Sequence, residues 1–198
     1  MHHLQMSARD YTDDYERAGL LTPKTMLGHC ILLQAREIQA IAKARAAVAH
    51  CPTSNLYLGS SLMKLDRIRA AGIAVGPELN MWQVMRAAVE VQRLRTFYEP
   101  EVPPLRVADA FHLATAGGAR ALGKSATIGT LEVGKEADLL VIDLGALHPY
   151  GKDRQRMNEL IKDDVVALCV YRGGPAATRE TYVRGRCVYR AAAVLPNE

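Results

Sequence analysis

Three short apolar runs separated by helical spacers constrain this chain most. They are "TMLGHCILL" (Thr25 to Leu33), "AVAHC" (Ala47 to Cys51) and "IAV" (Ile73 to Val75). Between the first two lies "AREIQAIAKARA" (Ala35 to Ala46), with Ile38, Ile41 and Ala42 on one helical face. Between the second and third lies "LMKLDRIRAAG" (Leu62 to Gly72), ended by Gly72. After the third comes a long helix predicted from Pro77 to Glu99, with proline at its start. Another helix starts at Val107 and runs into "ATAGGARALG". Continuous apolar strands alternating with helices predict parallel βα units. Ligands of such sheets and barrels sit at the carboxyl ends of the strands. His29 and His50 each fall near such an end.

The texture changes near Gly123 to Ile128. "IGTLEVGKEADLLVIDL" carries a glycine turn and then the apolar run "LLVI". "ETYVRGRCVYR" alternates around Gly185 and predicts strand–turn–strand. The expected division is 1–123 for the βα part and 124–198 for a small β-rich part, with a charged helical insert around "DRQRMNELIK". At the amino end, "RDYTDDYERAGLL" predicts a helix capped by Thr12 and stopped by Gly19.

Composition narrows the partners. The formal net charge is +4, but Lys and Arg are interspersed with Asp and Glu rather than blocked. With two Phe and one Trp, the chain offers little for stacking on bases. Neither a nucleic-acid nor a membrane partner is expected. Cys30, Cys51, Cys169 and Cys187 show no C-x-x-C spacing, so free thiols in a reducing compartment are expected. "MHHLQMSARD" has no apolar leader core, and no apolar run reaches the ~20 residues a membrane helix needs. The expected location is the cytoplasm.

His29 is the candidate site residue, because an imidazole at a strand end moves protons near neutral pH. His50 reads as structural, with Pro52 fixing a turn and Ser54 or Asn55 bonding the local backbone. Cys30 and Cys51 each follow a His. Strand neighbours face opposite sides, so adjacent His–Cys nucleophilic pairs are not expected. His2 and His3 are adjacent at the start, His112 is mid-helix, and His148 precedes Pro149 in a loop. "GTLEVGK" lacks the spacing of a phosphate loop. The glycines of "TAGGARALG" fit close packing as well as an anion site. The H-x-E with P-C-x-x-C signature of one class of zinc deaminase is absent.

Taken together, "RDYTDDYERAGLL", "GHCILL", "AHCPTSNLYLGSS", "ATAGGARALG" and "IGTLEVGKEADLLVID" resemble guanine deaminases of the amidohydrolase superfamily. The resemblance runs from about Ala8 to the end of the chain. "HCPTSN" and "GKEADLLVID" alone indicate only the wider branch of purine, pterin and triazine deaminases and chlorohydrolases. The resemblance implies a zinc-bearing (β/α)₈ barrel with a small β-sandwich, and hydrolysis of guanine to xanthine and ammonia by a metal-bound hydroxide. For this chain it implies about the last three βα units of the barrel, then a β-sandwich-type segment.

By the same resemblance, His29 matches the strand-six histidine that assists near the hydroxide. His50 matches a strand-seven loop histidine that is not a metal ligand. The metal-binding H-x-H pair, the strand-five histidine and its proton-moving glutamate would precede residue 1. The strand-eight segment, like "VGLGTDV" in the family, carries a metal-binding Asp, and the short stretch that would hold it is missing here: "AAGIAVG" (Ala70 to Gly76) runs straight into "PELNMWQVMR". Asp66 lies in the preceding helix, and Glu78 lies in the first turn after the junction. The resemblance thus implies zinc in the family but no metal ligand set here, and substrate-binding residues stay unassigned. The expected outcome is a guanine-deaminase family member that is inactive alone and self-associates through exposed barrel edges. The alternative is a non-catalytic remnant or the partner-dependent half of a split amidohydrolase, or a related purine, pterin or triazine deaminase or chlorohydrolase.

Overall fold

The structure is a computed structural model that describes residues 8–69, 73–75, 81–147 and 162–192. Its first sheet is parallel, in the order β1 (Met26–Gly28), β2 (Ala47–His50), β3 (Ile73–Val75). The register pairs Leu27 with Val48 and Ala49 with Ala74, so β2 is the centre strand. All four β2 residues are buried, as a parallel strand covered on both faces requires.

The helices differ in detail from the sequence expectation. Helix α1 (Tyr11–Arg17) is capped by Asp10, whose side chain accepts from the Asp13 N–H, and not by Thr12. Thr12 is buried instead, and its N–H and hydroxyl donate to Glu37 Oε1 at 3.1 and 3.0 Å. That contact docks α1 on α2 (Ala35–Ala44). A β-hydroxyl can cap its own helix or bond across helices, and here the buried carboxylate takes it. Gly19, at φ +67°, does end the helix, with Leu20 N–H closing back on the Tyr15 carbonyl. On α2 the buried face is Glu37, Ala40 and Ile41, while Ala42 is exposed.

Two further elements depart from expectation. Residues Pro52–Tyr57 form a short helix, α3, with proline in its first turn. Pro52 therefore starts a helix rather than a turn. The helix expected over Leu62 to Gly72 is one turn only, α4 (Leu65–Ile68). Its apolar residues Met63, Leu65 and Ile68 are buried nonetheless.

Helix α5 (Met81–Arg95) lays Val84, Met85, Ala88 and Val89 into the main core with Ile41 and Val48. Its last turn buries Arg95, which is held by Asp66 and Glu99. Helix α6 (Val107–His112) continues through a π-helical turn, Leu113–Gly117, into α7 (Gly118–Ala121). The π turn packs against β3.

The second sheet is antiparallel: β4 (Leu139–Ile142), β5 (Thr178–Val183), β6 (Arg186–Arg190). A one-turn helix, α8 (Leu144–Leu147), follows β4. Helix α9 (Lys162–Arg172) precedes β5 and packs on α5 and α6, so Val170 joins the main core. The expected charged insert, residues 153–161, lies outside the described residues, as do His2, His3, Glu78 and His148. Among the described residues no helix is long and apolar enough to cross a membrane.

Candidate functional site

The carboxyl ends of β1 and β2 lie side by side, because the two strands are parallel neighbours in register. His29 follows β1 directly, and its N–H still donates to the Ala49 carbonyl at 3.2 Å. The strand thus stops at Gly28, earlier than the apolar run suggests. The next bond runs from Cys30 N–H to the Gly28 carbonyl, 2.8 Å, with His29 at φ +65° between them. An i to i+2 bond around a left-handed residue is a classic γ-turn, a rare and strained reversal. Cys30, at φ +47°, is left-handed too. Two consecutive non-glycine residues in this region store backbone strain, which concentrates at functional sites.

The reversal separates the two side chains. His29 is exposed, whereas Cys30 is buried with its thiol turned back toward the Leu27 carbonyl. Burial first, then the neighbouring Cys51 and Glu37, push the Cys30 thiol up to about 11. It is a protonated core thiol at neutral pH and not a nucleophile. The His–Cys pairing is excluded as expected, but by the turn and not by strand alternation.

Asn55, on α3, supplies what the sequence reading missed. Its Oδ1 lies 2.7 Å from Nδ1 of His29, across 26 residues of chain. Asn55 is buried, so its side chain serves a long-range bond rather than the local backbone. Periodicity could not show this contact. The only available signal was an amide placed one turn after a strand-end proline.

His50 ends β2 and is wholly buried. Neither of its ring nitrogens has a hydrogen-bond partner among the described residues. Burial lowers its pKa to about 4, so it is neutral at pH 7. His112 is exposed at the end of α6, away from these strand ends in sequence and in element.

A zinc centre needs three or four protein ligands of the right type. Among the described residues no group of three or more His, Cys, Asp or Glu could hold a metal ion. Among the described residues His29 therefore has no zinc ligand set beside it.

A family model described as the amidohydrolase family matches residues 5–177. The guanine deaminase of Escherichia coli (strain K12) is 32% identical over 190 residues, which cover 90% of this chain and 41% of that protein. Its counterpart in solved structures, the E. coli guanine deaminase, superposes with a TM-score of 0.82 at 30% identity, over 93% of this chain and 43% of that one. A solved adenosine deaminase from Xanthomonas campestris with bound zinc matches at 29% identity and TM-score 0.69, over 87% of this chain and 38% of that one. The chain spans about two fifths of the length of these relatives. Similar to guanine deaminases in both sequence and backbone course, the chain belongs to the amidohydrolase family.

Proposed function

We propose that this chain forms one wall of a guanine-deaminase-type site, and that His29 is the group it contributes to the chemistry. The supporting observation is the strained γ-turn that lifts an exposed imidazole from the carboxyl end of β1. Hydrolytic deamination adds water to the amidine carbon of guanine and releases ammonia, giving xanthine. A proton must leave the attacking water and another must reach the departing amine. An imidazole at the carboxyl end of β1 is suited to carry one of these transfers, worth typically ~10²–10⁴-fold.

The corresponding architecture is a partial (β/α)₈ barrel, with residues 1–123 supplying about its last three βα units. Residues 124–198 form a small β-sandwich-type unit whose helix α9 reaches back onto the first core. The outer edges of β1 and β3 have no strand neighbour among the described residues. Such edges favour pairing with another chain. Sedimentation of the purified chain should therefore show association, and a stable compact monomer would count against it.

With one candidate imidazole and no metal-ligand set among the described residues, the chain alone should release no ammonia. Purified chain given guanine and excess zinc should match the blank, and His29→Ala should change nothing. The same chain with a "GTD" segment restored at the strand-eight junction, mixed with a separately produced first part of the E. coli relative, should convert guanine to xanthine only when His29 is intact. Turnover by the chain alone that depends on zinc and on His29 would overturn this division of labour. Turnover of the mixture that survives His29→Ala would overturn the assignment of His29.

A further inference from the structure

The bond between His29 and Asn55 decides which nitrogen of the imidazole is offered to the site. Nδ1 of His29 faces Oδ1 of Asn55 at 2.7 Å. An amide oxygen only accepts, so Nδ1 carries the proton. In the neutral ring the lone pair then belongs to Nε2.

The surroundings show a buried group holding an exposed one. Asn55 is 3% exposed, while His29 is open to solvent. The backbone of Asn55 is itself pinned at both ends of α3. Its N–H donates to the Cys51 carbonyl and its carbonyl accepts from the Ser60 N–H, each at 2.9 Å. The Nδ2 of Asn55 is buried and has no hydrogen-bond partner among the described residues. A purely structural buried amide satisfies both of its ends. Among the described residues this one makes a single side-chain bond, and makes it to the residue at the centre of the γ-turn. The turn aims the ring and the amide sets its rotation and tautomer.

We propose that Asn55 is a positioning residue: it holds His29 in the Nδ1–H tautomer and so presents Nε2 as the basic nitrogen at the carboxyl end of the sheet. The purpose of this arrangement rests on the proton-transfer reading of His29, but the tautomer is measurable without turnover. If the Asn55 amide were reversed, Nδ2 would donate to Nδ1 and the proton would sit on Nε2. The two arrangements give opposite spectroscopic signatures.

The test is long-range ¹H–¹⁵N correlation on the full chain labelled at histidine, in mildly alkaline solution, with His29→Gln identifying the resonances. The expected result is a pyrrole-type Nδ1 and a pyridine-type Nε2 for His29. The Nδ1–H form should dominate by roughly tenfold, as one net hydrogen bond would give. A dominant Nε2–H form overturns the proposal, and needs no variant to do so. Asn55→Ala should erase the preference, and Asn55→Asp, which keeps an acceptor oxygen, should retain it. The His50 and His112 signals report whether each variant stays folded. An unchanged tautomer in folded Asn55→Ala overturns the proposal, as does its loss in folded Asn55→Asp. Absence of ammonia release in the mixing experiment would remove the purpose of His29 and leave this result standing, so the two failures are distinguishable.

Discussion

Sheet β1–β2–β3 and sheet β4–β5–β6 have three strands each, yet they rest on different physics. In the parallel sheet β2 is buried along its whole length, and Ile41, Met63, Ile68 and Val84 close over it at 1% exposure or less. In the antiparallel sheet no strand residue is buried. What that sheet has instead is turn geometry and ion pairs: Arg179 with Asp143, Arg190 with Glu180 at 2.8 Å, and Arg184 with Glu136 at 3.0 Å. Pairs this exposed contribute about 0–1 kcal/mol each. The candidate site sits on the sheet whose geometry is set by packing, where a side chain can be held in place.

The largest effect should come from the first core. Ile41→Ala removes a side chain with no exposed surface and should cost ~2–5 kcal/mol. Val188→Ala, in β6 at 54% exposure, should stay within about 0.5 kcal/mol. Denaturant midpoints of the two variants measure the contrast directly. Equal losses would mean that the second sheet carries burial the structure does not show.

The next effect belongs to His50 and depends on pH. Burial holds its pKa at about 4 in the folded chain, against about 6.5 for the unfolded side chain. Above pH 6.5 both states are neutral there. Between pH 6.5 and 4 the unfolded state binds the proton and the folded state does not, so stability falls as pH falls. The loss approaches roughly 3 kcal/mol by pH 4. Carboxylates held low by arginines, such as Asp109 beside Arg106, lose stability in a more acidic range and blur the lower end. His50→Leu isolates the histidine, since it removes two unpartnered nitrogens and keeps an apolar filling. The variant should lose less stability than the parent between pH 7 and pH 5. Identical pH profiles would show that His50 finds a partner or titrates normally.

The parallel sheet and the hairpin were legible because their signals are local. "AVAH" and "IAV" are apolar runs of strand length, and β2 and β3 match them. "VRGR" places a glycine at a two-residue turn, and Arg184 and Gly185 both have positive φ. The helix boundaries and the site were less legible because tertiary contacts decide them. Thr12 leaves its helix end for Glu37, and Asn55 leaves its own backbone for His29. The identity of His29 as the candidate residue followed from its place after β1. The γ-turn that exposes it did not, since a Gly-His-Cys sequence carries no requirement for a left-handed histidine. Helix α9 follows the same rule: its apolar residues are visible, but that they join the core of α5 and α6 is not.

The smallest effects probe the second sheet at its turn. Residues 184 and 185 form a two-residue loop between β5 and β6, with φ +51° and +75°. Positive φ at both places is the type I′ pattern whose preferred residues are Asn-Gly. Gly185→Ala meets no close atom, for the nearest is the Ala137 side chain at 4.0 Å. Its cost is therefore conformational, about 1–2 kcal/mol. Arg184→Asn should have the opposite sign. It trades an arginine in a left-handed position for a residue that tolerates one, and gives up an ion pair whose arginine is 77% exposed. The Arg184 N–H bond to Asp138 at 2.7 Å is main-chain and survives the change. A gain of about 0.5 kcal/mol is expected. If thermal melts show Arg184→Asn to be destabilising, the Arg184–Glu136 pair contributes more than its exposure allows. The contrast between a sheet held by burial and one held by its turn would then have to admit charge as a third term.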